Sequence, residues 1–469
     1  MKLSELLQEI PHRLTGYDRE IAADAAVVTA LDAVRAGCIF ACCQSPLRDG
    51  HRVALSAYSL GCRIFIAAQN AGLPADATVV LVENVNAVAT QIAARLLGYP
   101  ARQMTLIGIA GREGKSSAAF YLRALLSAAG RRVALLCNEG VMSDGKLRRH
   151  GNILPDGVER QQLLAALAKE DTELVILELG AEALAEKAFD GMDFAALLVT
   201  DAELPSAYAE ALAALCGRLG FAVLPSNANT RLSASRVLTY GVGGDIFAEG
   251  VTPFVGKRGF GSRFTLCFSG ERAAVSLHVP GDFALSGALG TAALALICGL
   301  SLGEVAAGLS RFVPWGSLEC VCVADGRYIY RDVAYTPERL ARVLSVLREA
   351  CQGKLTVVVG SVGGRARERR AGLGRVAAEI ADLVYLTADN PDNEDPTAIC
   401  QEMTAEIAEP WRYVILPDRA AAIRRAVLEM RPQDILLVAG KAREDTQLIA
   451  SQAISFDERK IICKSAEEL

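Results

Sequence analysis

The sequence predicts an α/β protein of several domains, built on largely parallel sheets. Three observations carry that prediction. Short apolar runs alternate with helical patterns along the whole chain, the rhythm of strands crossed over by helices. The stretch Leu106 to Ser117 reads as strand, glycine loop, Lys-Ser and helix start. Several later strands end in a polar residue, among them Glu178, Asp332 and Lys441. In open parallel sheets the ligand crevice lies beyond such strand ends.

The composition agrees. With 469 residues, two to four domains are expected and large cores are readily buried. A chain 52% hydrophobic and 22% charged is well buried rather than disordered. A net charge of −5 gives no reason to expect nucleic-acid binding. Thirteen cysteines show no paired metal spacing, and Cys42-Cys43 and Cys320-x-Cys322 are too close together for a zinc clip. Reduced, mostly buried thiols in a cytoplasmic protein are the expectation. Four scattered histidines (His12, His51, His150, His278) argue against chemistry built on a histidine cluster. The start, Met1 to Glu5, lacks a signal-peptide core, and no apolar run is long enough to cross a bilayer.

Residues 1–101 read as a small α/β domain. Leu3 to Ile10 is a short helix, and Cys38 to Cys42, Cys62 to Ala67 and Val79 to Val82 are strands. Asp49-Gly50-His51 is a turn opening a helix from Arg52 to Leu60; by itself it is a cap and turn. A helix from Asn84 to Leu97 leads to Gly98-Tyr-Pro100, a domain boundary.

Residues 102–322 open with the glycine loop. Glycines let successive backbone N–H groups turn toward an anion, and the helix N-terminus adds positive partial charge. The spacing is Gly108-x2-Gly111-x2-Gly114-Lys115-Ser116-Ser117, a variant of the usual phosphate-binding loop. Lys115 would reach the outer phosphates and the Ser116 hydroxyl would hold magnesium. Strands follow at Arg132–Cys137, Leu174–Glu178, Phe194–Thr200, Phe221–Pro225 and Arg236–Gly241, with a polar loop around Lys146, Arg148, Arg149 and His150. Glu178, at a strand end opposite the loop, is a candidate magnesium carboxylate, with a helix cap as the alternative. A β-rich excursion covers Asp245 to His278, and Pro280 to Leu300 is helical.

Residues 323–469 form a third α/β unit. Strands fall at Tyr328–Asp332, Leu355–Gly360, Asp382–Thr387, Arg412–Leu416 and Asp434–Gly440. Thr336-Pro337 opens a helix to Ala350, with threonine as N-cap and proline in the first turn.

Six segments in order resemble the Mur ligase family, closest to its branch that adds the third amino acid to UDP-N-acetylmuramoyl-dipeptide. Asp49-Gly50-His51 resembles the segment that holds the uridine nucleotide. Gly108 to Ser116 is similar to the family's Gly-x-x-Gly-Thr-Asn-Gly-Lys-Thr loop, which accounts for the glycine spacing. Pro280 to Phe283 resembles its Pro-Gly-x-Phe-Asn helix, and Asp332 to Pro337 its Asp-Tyr-Ala-His-Thr-Pro. Asp389-Asn390-Pro391, with Glu394-Asp395-Pro396, resembles the segment that recognises the incoming amino acid. Ala439-Gly440-Lys441, with Glu444, Asp445 and Gln447, matches a final motif.

The resemblance implies a three-domain architecture, with a central P-loop ATPase-like parallel sheet and a Rossmann-like C-terminal domain. It implies an ATP- and Mg2+-dependent amide ligase of peptidoglycan precursor synthesis, acting on a UDP-muramoyl-peptide and an amino acid. ATP phosphorylates a carboxylate, and the incoming amine attacks the acyl phosphate. On this reading Lys115 and Glu178 are catalytic, and Ser116 and Glu178 hold the metal. Gly111, Gly114, Lys115, Ser116, Ser117, Asp332 and Tyr335 bind ATP. Asp49, Gly50, His51, Asp389, Asn390, Asp392, Lys441 and Glu444 bind the other substrates. A cytoplasmic protein, without nucleic-acid partner or membrane insertion and with a monomer favoured, is implied as well.

The departures are concentrated on polar groups. The loop's Thr-Asn is Arg112-Glu113, which puts a carboxylate beside the expected phosphates. Gly180-Ala181-Glu182 stands where the family has Ser-Ser-His, so a metal-supporting histidine is lost. The Thr-Asn-Leu segment is reduced to Thr200, and the family's carbamoylated lysine falls near Leu212. Its Gly-Arg-x-Glu is Gly316-Ser317-Leu318-Glu319, and Tyr335 replaces a histidine. Asp392 replaces the arginine that grips diaminopimelate, and would suit a cationic side chain such as lysine. Two readings stay open at this stage: an active, divergent ligase, or a catalytically degenerate paralogue that binds nucleotide or partners.

Overall fold

A computed structural model describes residues 1–45, 48–137, 140–149, 156–215 and 219–469. The chain divides into two compact units, Met1–Phe247 with Gly287–Val305, and Ala248–Ser286 with Ala306–Leu469.

The first unit holds two sheets. The smaller runs Arg13–Thr15, Thr78–Leu81, Ile64–Ala67, Ile39–Ala41, Val27–Val28 from edge to edge. It is parallel except at Arg13–Thr15. The two edge strands were not expected; with two and three residues they are too short to show a period. The expected helix from Arg52 is a 3-10 turn, Gly50–Val53, followed by Ala54–Ser59. Helix Val85–Leu96 starts where Asn84 accepts from the Ala87 N–H at 2.9 Å.

The larger sheet of this unit runs Lys146–Arg149, Gly140–Ser143, Val133–Cys137, Leu174–Leu179, Thr105–Ala110, Ala196–Val199, Leu219–Pro225, Ala234–Tyr240. The last six are parallel. The first two form an antiparallel hairpin, which corrects the polar loop expected around Lys146 and Arg148. Arg148 forks onto Glu170 at 2.8 and 2.9 Å, so its charge is held by the fold. His150 lies outside the described residues. The glycine-loop strand Thr105–Ala110 is central, buried by Leu106, Leu177, Leu197 and their neighbours. Register pairs Glu178 with Ile109, and both Leu179 and Val199 with Ala110. Glu178 and Thr200 therefore flank the mouth of the glycine loop.

Helix Gly157–Lys169 begins with a capping box: Asp156 Oδ1 accepts from the Glu159 N–H, and Glu159 accepts from the Asp156 N–H. Asp156 Oδ2 accepts from the Thr29 hydroxyl at 2.7 Å. One carboxylate thus starts this helix and ties it to the N-terminal sheet, whose core also takes in Val158.

In the second unit, the strands Gly259–Phe268 and Glu271–Leu277 form a hairpin in register from Ser262 with Leu277 to Phe268 with Glu271. Its six-stranded sheet runs Glu319–Ala324, Arg327–Asp332, Ile435–Ala439, Leu355–Ser361, Leu383–Ala388, Tyr413–Ile415. All pairs are parallel except the first. Strand Glu319–Ala324, which crosses residue 322, was not expected. Thr336 caps helix Pro337–Ala350 by accepting from the Arg339 N–H, with proline in the first turn as expected. The Phe260 N–H donates to the Tyr330 hydroxyl at 2.8 Å, fastening the hairpin segment to the sheet.

Helix Arg370–Ile380 lies against the end of helix Pro396–Met403, and a Cβ added at Gly374 would sit 1.8 Å from the Met403 carbonyl oxygen. Alanine for a helical glycine ordinarily stabilises by up to about 1 kcal/mol. Here the overlap is with backbone, so Gly374→Ala is expected to destabilise by about 1–3 kcal/mol. The readout is a lower urea midpoint with unchanged slope; a midpoint at or above wild type contradicts this packing.

Candidate active site

The glycine loop is built as its spacing implies. Gly108 is inside the strand, packed against Leu179 and Leu197. Gly111 and Gly114 make the turn at φ +145° and +76°. Helix Lys115–Ala128 then starts at once, with Ser116 and Ser117 in its first turn. A Cβ at Gly111 would lie 2.0 Å from Thr200 Oγ1 and 2.5 Å from Asp201 Oδ2, so glycine is needed for this close approach. Asp201 Oδ2 accepts from the Arg112 N–H at 2.8 Å and the Glu113 N–H at 3.3 Å. The Gly111 N–H donates to the Tyr208 hydroxyl at 2.9 Å, and Tyr208 donates to the Leu179 carbonyl. Burial pushes the Tyr208 phenol up to about 12, so it stays a donor. Lys115 folds back, its ammonium donating to the Gly111 and Arg112 carbonyls. Burial lowers its pKa, while the Glu178 and Asp201 carboxylates oppose that shift. Glu178 itself is buried, at 5% exposure.

Asp49, Gly50 and His51 form a self-contained turn in the first unit. Asp49 Oδ1 accepts from the His51 N–H at 3.1 Å and from the His51 ring Nδ1 at 3.0 Å. The Ala68 N–H donates to His51 Nε2 at 3.1 Å, so the ring is held from both sides. The His51 N–H and ring hold the Asp49 carboxyl below the usual carboxylate range.

In the second unit the structure gathers Asp389, Asn390, Lys441 and Glu444. Lys441 is fully buried. Its ammonium donates to Asn390 Oδ1 at 2.8 Å and to Glu444, with Asp389 Oδ1 at 3.4 Å. Asn390 Nδ2 donates to Glu444 at 2.9 Å. The Glu444 side chain is 39% exposed, so within this cluster it is the carboxylate that reaches solvent. Asp392 has φ +52°, and its Oδ1 accepts from the Ser451 N–H at 2.7 Å, across the turn of hairpin Thr446–Ser455. Asp332 is fully buried and accepts from the Leu318 N–H at 2.8 Å and from Arg339 at 2.9 Å. Tyr335 is 53% exposed, with Arg369 over its ring.

Several residues that shape these clusters were not foreseen. Asp201 stands two residues past the end of parallel strand Ala196–Val199 and Glu178 is the penultimate residue of Leu174–Leu179, so a strand-end signal like the one that singled out Glu178 was available. Tyr208 gave none, because it reads as one apolar position of helix Ser206–Leu215. Arg419, buried with Glu458 in a 2.6 Å ion pair, donates to the Ala439 carbonyl at 2.8 Å, just before Lys441. Arg370 forks onto Glu394 at 2.7 Å for both bonds and also binds Glu402 and the Val362 carbonyl. Buried arginines look like surface charges in a sequence.

Two consecutive amides of the loop, of Arg112 and Glu113, hold a carboxylate oxygen of the chain itself. Among the described residues no group of three or more His, Cys, Asp or Glu is placed to hold a metal. Magnesium needs less: one or two carboxylates serve when phosphates and water complete the shell. Glu178, buried near a strand end, and Ser116, in the first helical turn, carry oxygen donors of the kind magnesium takes.

Two family models match the chain: the Mur ligase middle domain over residues 109–295, and the Mur ligase glutamate ligase domain over residues 318–442. A UDP-N-acetylmuramoyl-L-alanyl-D-glutamate–2,6-diaminopimelate ligase of Gloeobacter violaceus is 31% identical, covering 98% of this chain and 97% of its own. A solved structure of an enzyme with that name superposes with a TM-score of 0.63 at 22% identity, over 94% of both chains. The MurF ligase of Thermotoga maritima, solved with ADP, superposes with a TM-score of 0.57 at 16% identity, over 96% of this chain and 99% of its own.

The Arg370 fork holds the Glu394 carboxyl down at about 2, with help from the Gly364 N–H. A carboxyl held below its unfolded value adds stability that is complete above that value, near 4.5, and is lost as pH falls toward 2. Glu394→Gln is therefore expected to lower the urea midpoint at neutral pH and to flatten its fall between pH 4.5 and 2. Parallel midpoint curves for variant and wild type would remove Glu394 from the acid response.

Proposed function

This chain belongs to the Mur ligase family, and we propose that it joins an amino acid to the free carboxylate of a UDP-N-acetylmuramoyl-dipeptide in peptidoglycan precursor synthesis. The reaction is ATP-dependent amide formation. The observation that carries this reading is the glycine loop: two of its amides converge on a carboxylate oxygen, and the Lys115 ammonium sits on the loop's own carbonyls. ATP supplies the phosphoryl group that activates the carboxylate. Magnesium would be held by Ser116 and Glu178 and would neutralise phosphate charge there. Lys115, desolvated but charge-supported by Glu178, would swing from the Gly111 and Arg112 carbonyls to the phosphates. Ser117 and the turn glycines complete the loop.

In the second unit, Glu444 is the group we assign to the amine of the incoming amino acid. Asn390 and Lys441 position its carboxylate, and Lys441 balances its charge until a substrate cation arrives. Asp389 and Gln447 brace the segment, the Gln447 side chain donating to the Asp389 carbonyl at 2.8 Å. Asp392, on the turn with Ser451, stands where the family's diaminopimelate-gripping arginine is expected, so lysine is proposed over amino acids that end in carboxylate. Asp49, Gly50 and His51 are assigned to the uridine nucleotide as a preformed turn; Asp332 and Tyr335 are assigned to ATP. We keep the family's three-part division at 101/102 and near 322/323, and a cytoplasmic monomer as the working form. Among the described residues, no helix is long and apolar enough to cross a membrane.

Phosphate release from ATP should require magnesium, UDP-N-acetylmuramoyl-L-Ala-D-Glu and one amino acid. Lysine and diaminopimelate in parallel assays identify which. Lys115→Ala is expected to reduce turnover by about 10²-fold or more. No release in any mixture, from protein that still binds ATP, would overturn the ligase reading.

A further inference from the structure

Two consecutive amides of the glycine loop, of Arg112 and Glu113, are occupied by a carboxylate. We infer that Asp201 is an internal anion that competes with the phosphates of ATP for the loop and thereby sets nucleotide affinity. This rests on the reading of residues 111–116 as the phosphate-binding loop.

The geometry is specific. Asp201 Oδ2 receives the Arg112 N–H at 2.8 Å and the Glu113 N–H at 3.3 Å. These are consecutive amides in the middle of the turn, the donors that such loops aim at an oxyanion. Thr200 fixes the approach: its hydroxyl oxygen lies 2.5 Å from the Glu113 carbonyl and 3.0 Å from Asp201 Oδ2. Gly111 has no Cβ where one would meet Thr200 Oγ1 and Asp201 Oδ2. Loop and carboxylate are thus built to touch. Lys115 completes the arrangement, held on loop carbonyls and within the field of Asp201.

Two anions cannot share these donors. A phosphate oxygen brought to the Arg112 and Glu113 amides meets the Asp201 carboxylate at contact distance, where like charges repel strongly. Nucleotide binding then requires Asp201 to swing out, a side-chain rotation open to it because it is only half-buried. In the free protein the same carboxylate satisfies amides that would otherwise need water, so the empty loop is held in its binding shape. Asp201 is a residue that tunes affinity, not one that takes part in bond making.

The test is ATP affinity of the full chain by calorimetry, with EDTA present so that no cation bridges Asp201 to phosphate. Wild type, Asp201→Asn, Asp201→Ala and Lys115→Ala are compared, with inorganic pyrophosphate as a second probe. Asn keeps the size and one acceptor and loses the charge, which guards against a folding defect; thermal unfolding checks both variants. Both Asp201 variants are expected to bind ATP and pyrophosphate about tenfold more tightly than wild type, and Lys115→Ala more weakly. Unchanged or weaker binding by the Asp201 variants, with Lys115→Ala still weakened, overturns the competition while leaving the loop assignment standing. Binding that is unchanged in EDTA and becomes weaker than wild type when magnesium replaces EDTA also overturns it, and makes Asp201 a metal ligand. Binding indifferent to Lys115→Ala overturns the loop assignment and the competition together.

Discussion

Backbone donors exposed at a strand-to-helix turn must find an acceptor, and much of the first unit is arranged around meeting that need at residues 111–114. A tight turn with two glycines leaves its N–H groups pointing outward, away from any ladder. Here the Gly111 amide is met by the Tyr208 hydroxyl and the next two by Asp201. Tyr208 also binds the end of the neighbouring strand through the Leu179 carbonyl. The loop, the strand ends on both sides and helix Ser206–Leu215 are therefore one hydrogen-bonded assembly. Its acceptors come from segments where the chain departs from the family pattern.

The second unit solves a related problem with charge. Lys441 is fully buried, and a buried ammonium is costly unless its donors are met. Asn390, Glu444 and Asp389 surround it, and the same Asn390 oxygen also accepts from the Leu448 N–H at 2.9 Å. Two further arginines work from behind: Arg419 on the Ala439 carbonyl, and Arg370 on Glu394 beyond the Asp389-Asn390-Pro391 segment. Partners of this kind lock the positions of the side chains they support. Losses of family residues elsewhere leave this cluster intact, which fits a working ligase better than a degenerate one.

Much of this was legible in the sequence because it depends on local signals. Apolar runs located the long strands, Thr336-Pro337 located a helix start, and Gly111, Gly114 and Lys115 located the glycine turn and the helix that follows it. Short edge strands such as Val27–Val28 were missed because two residues carry no period. The hairpin at Gly140–Arg149 was missed because two of its polar residues, Ser143 and Arg148, meet a partner more than twenty positions away, Glu170.

By itself, the sequence determined the α/β class, the order of the long strands and helices, the family, and the identity of the residues bearing charge at the strand ends. Those follow from residue type and spacing along the chain. Which charges meet was decided only by the tertiary structure. Asp201 reaches the loop across 89 residues, and Asn390 reaches Lys441 across 51. Parallel sheets bring distant strand ends together at one edge, and no local pattern records which side chain will fill the space between them.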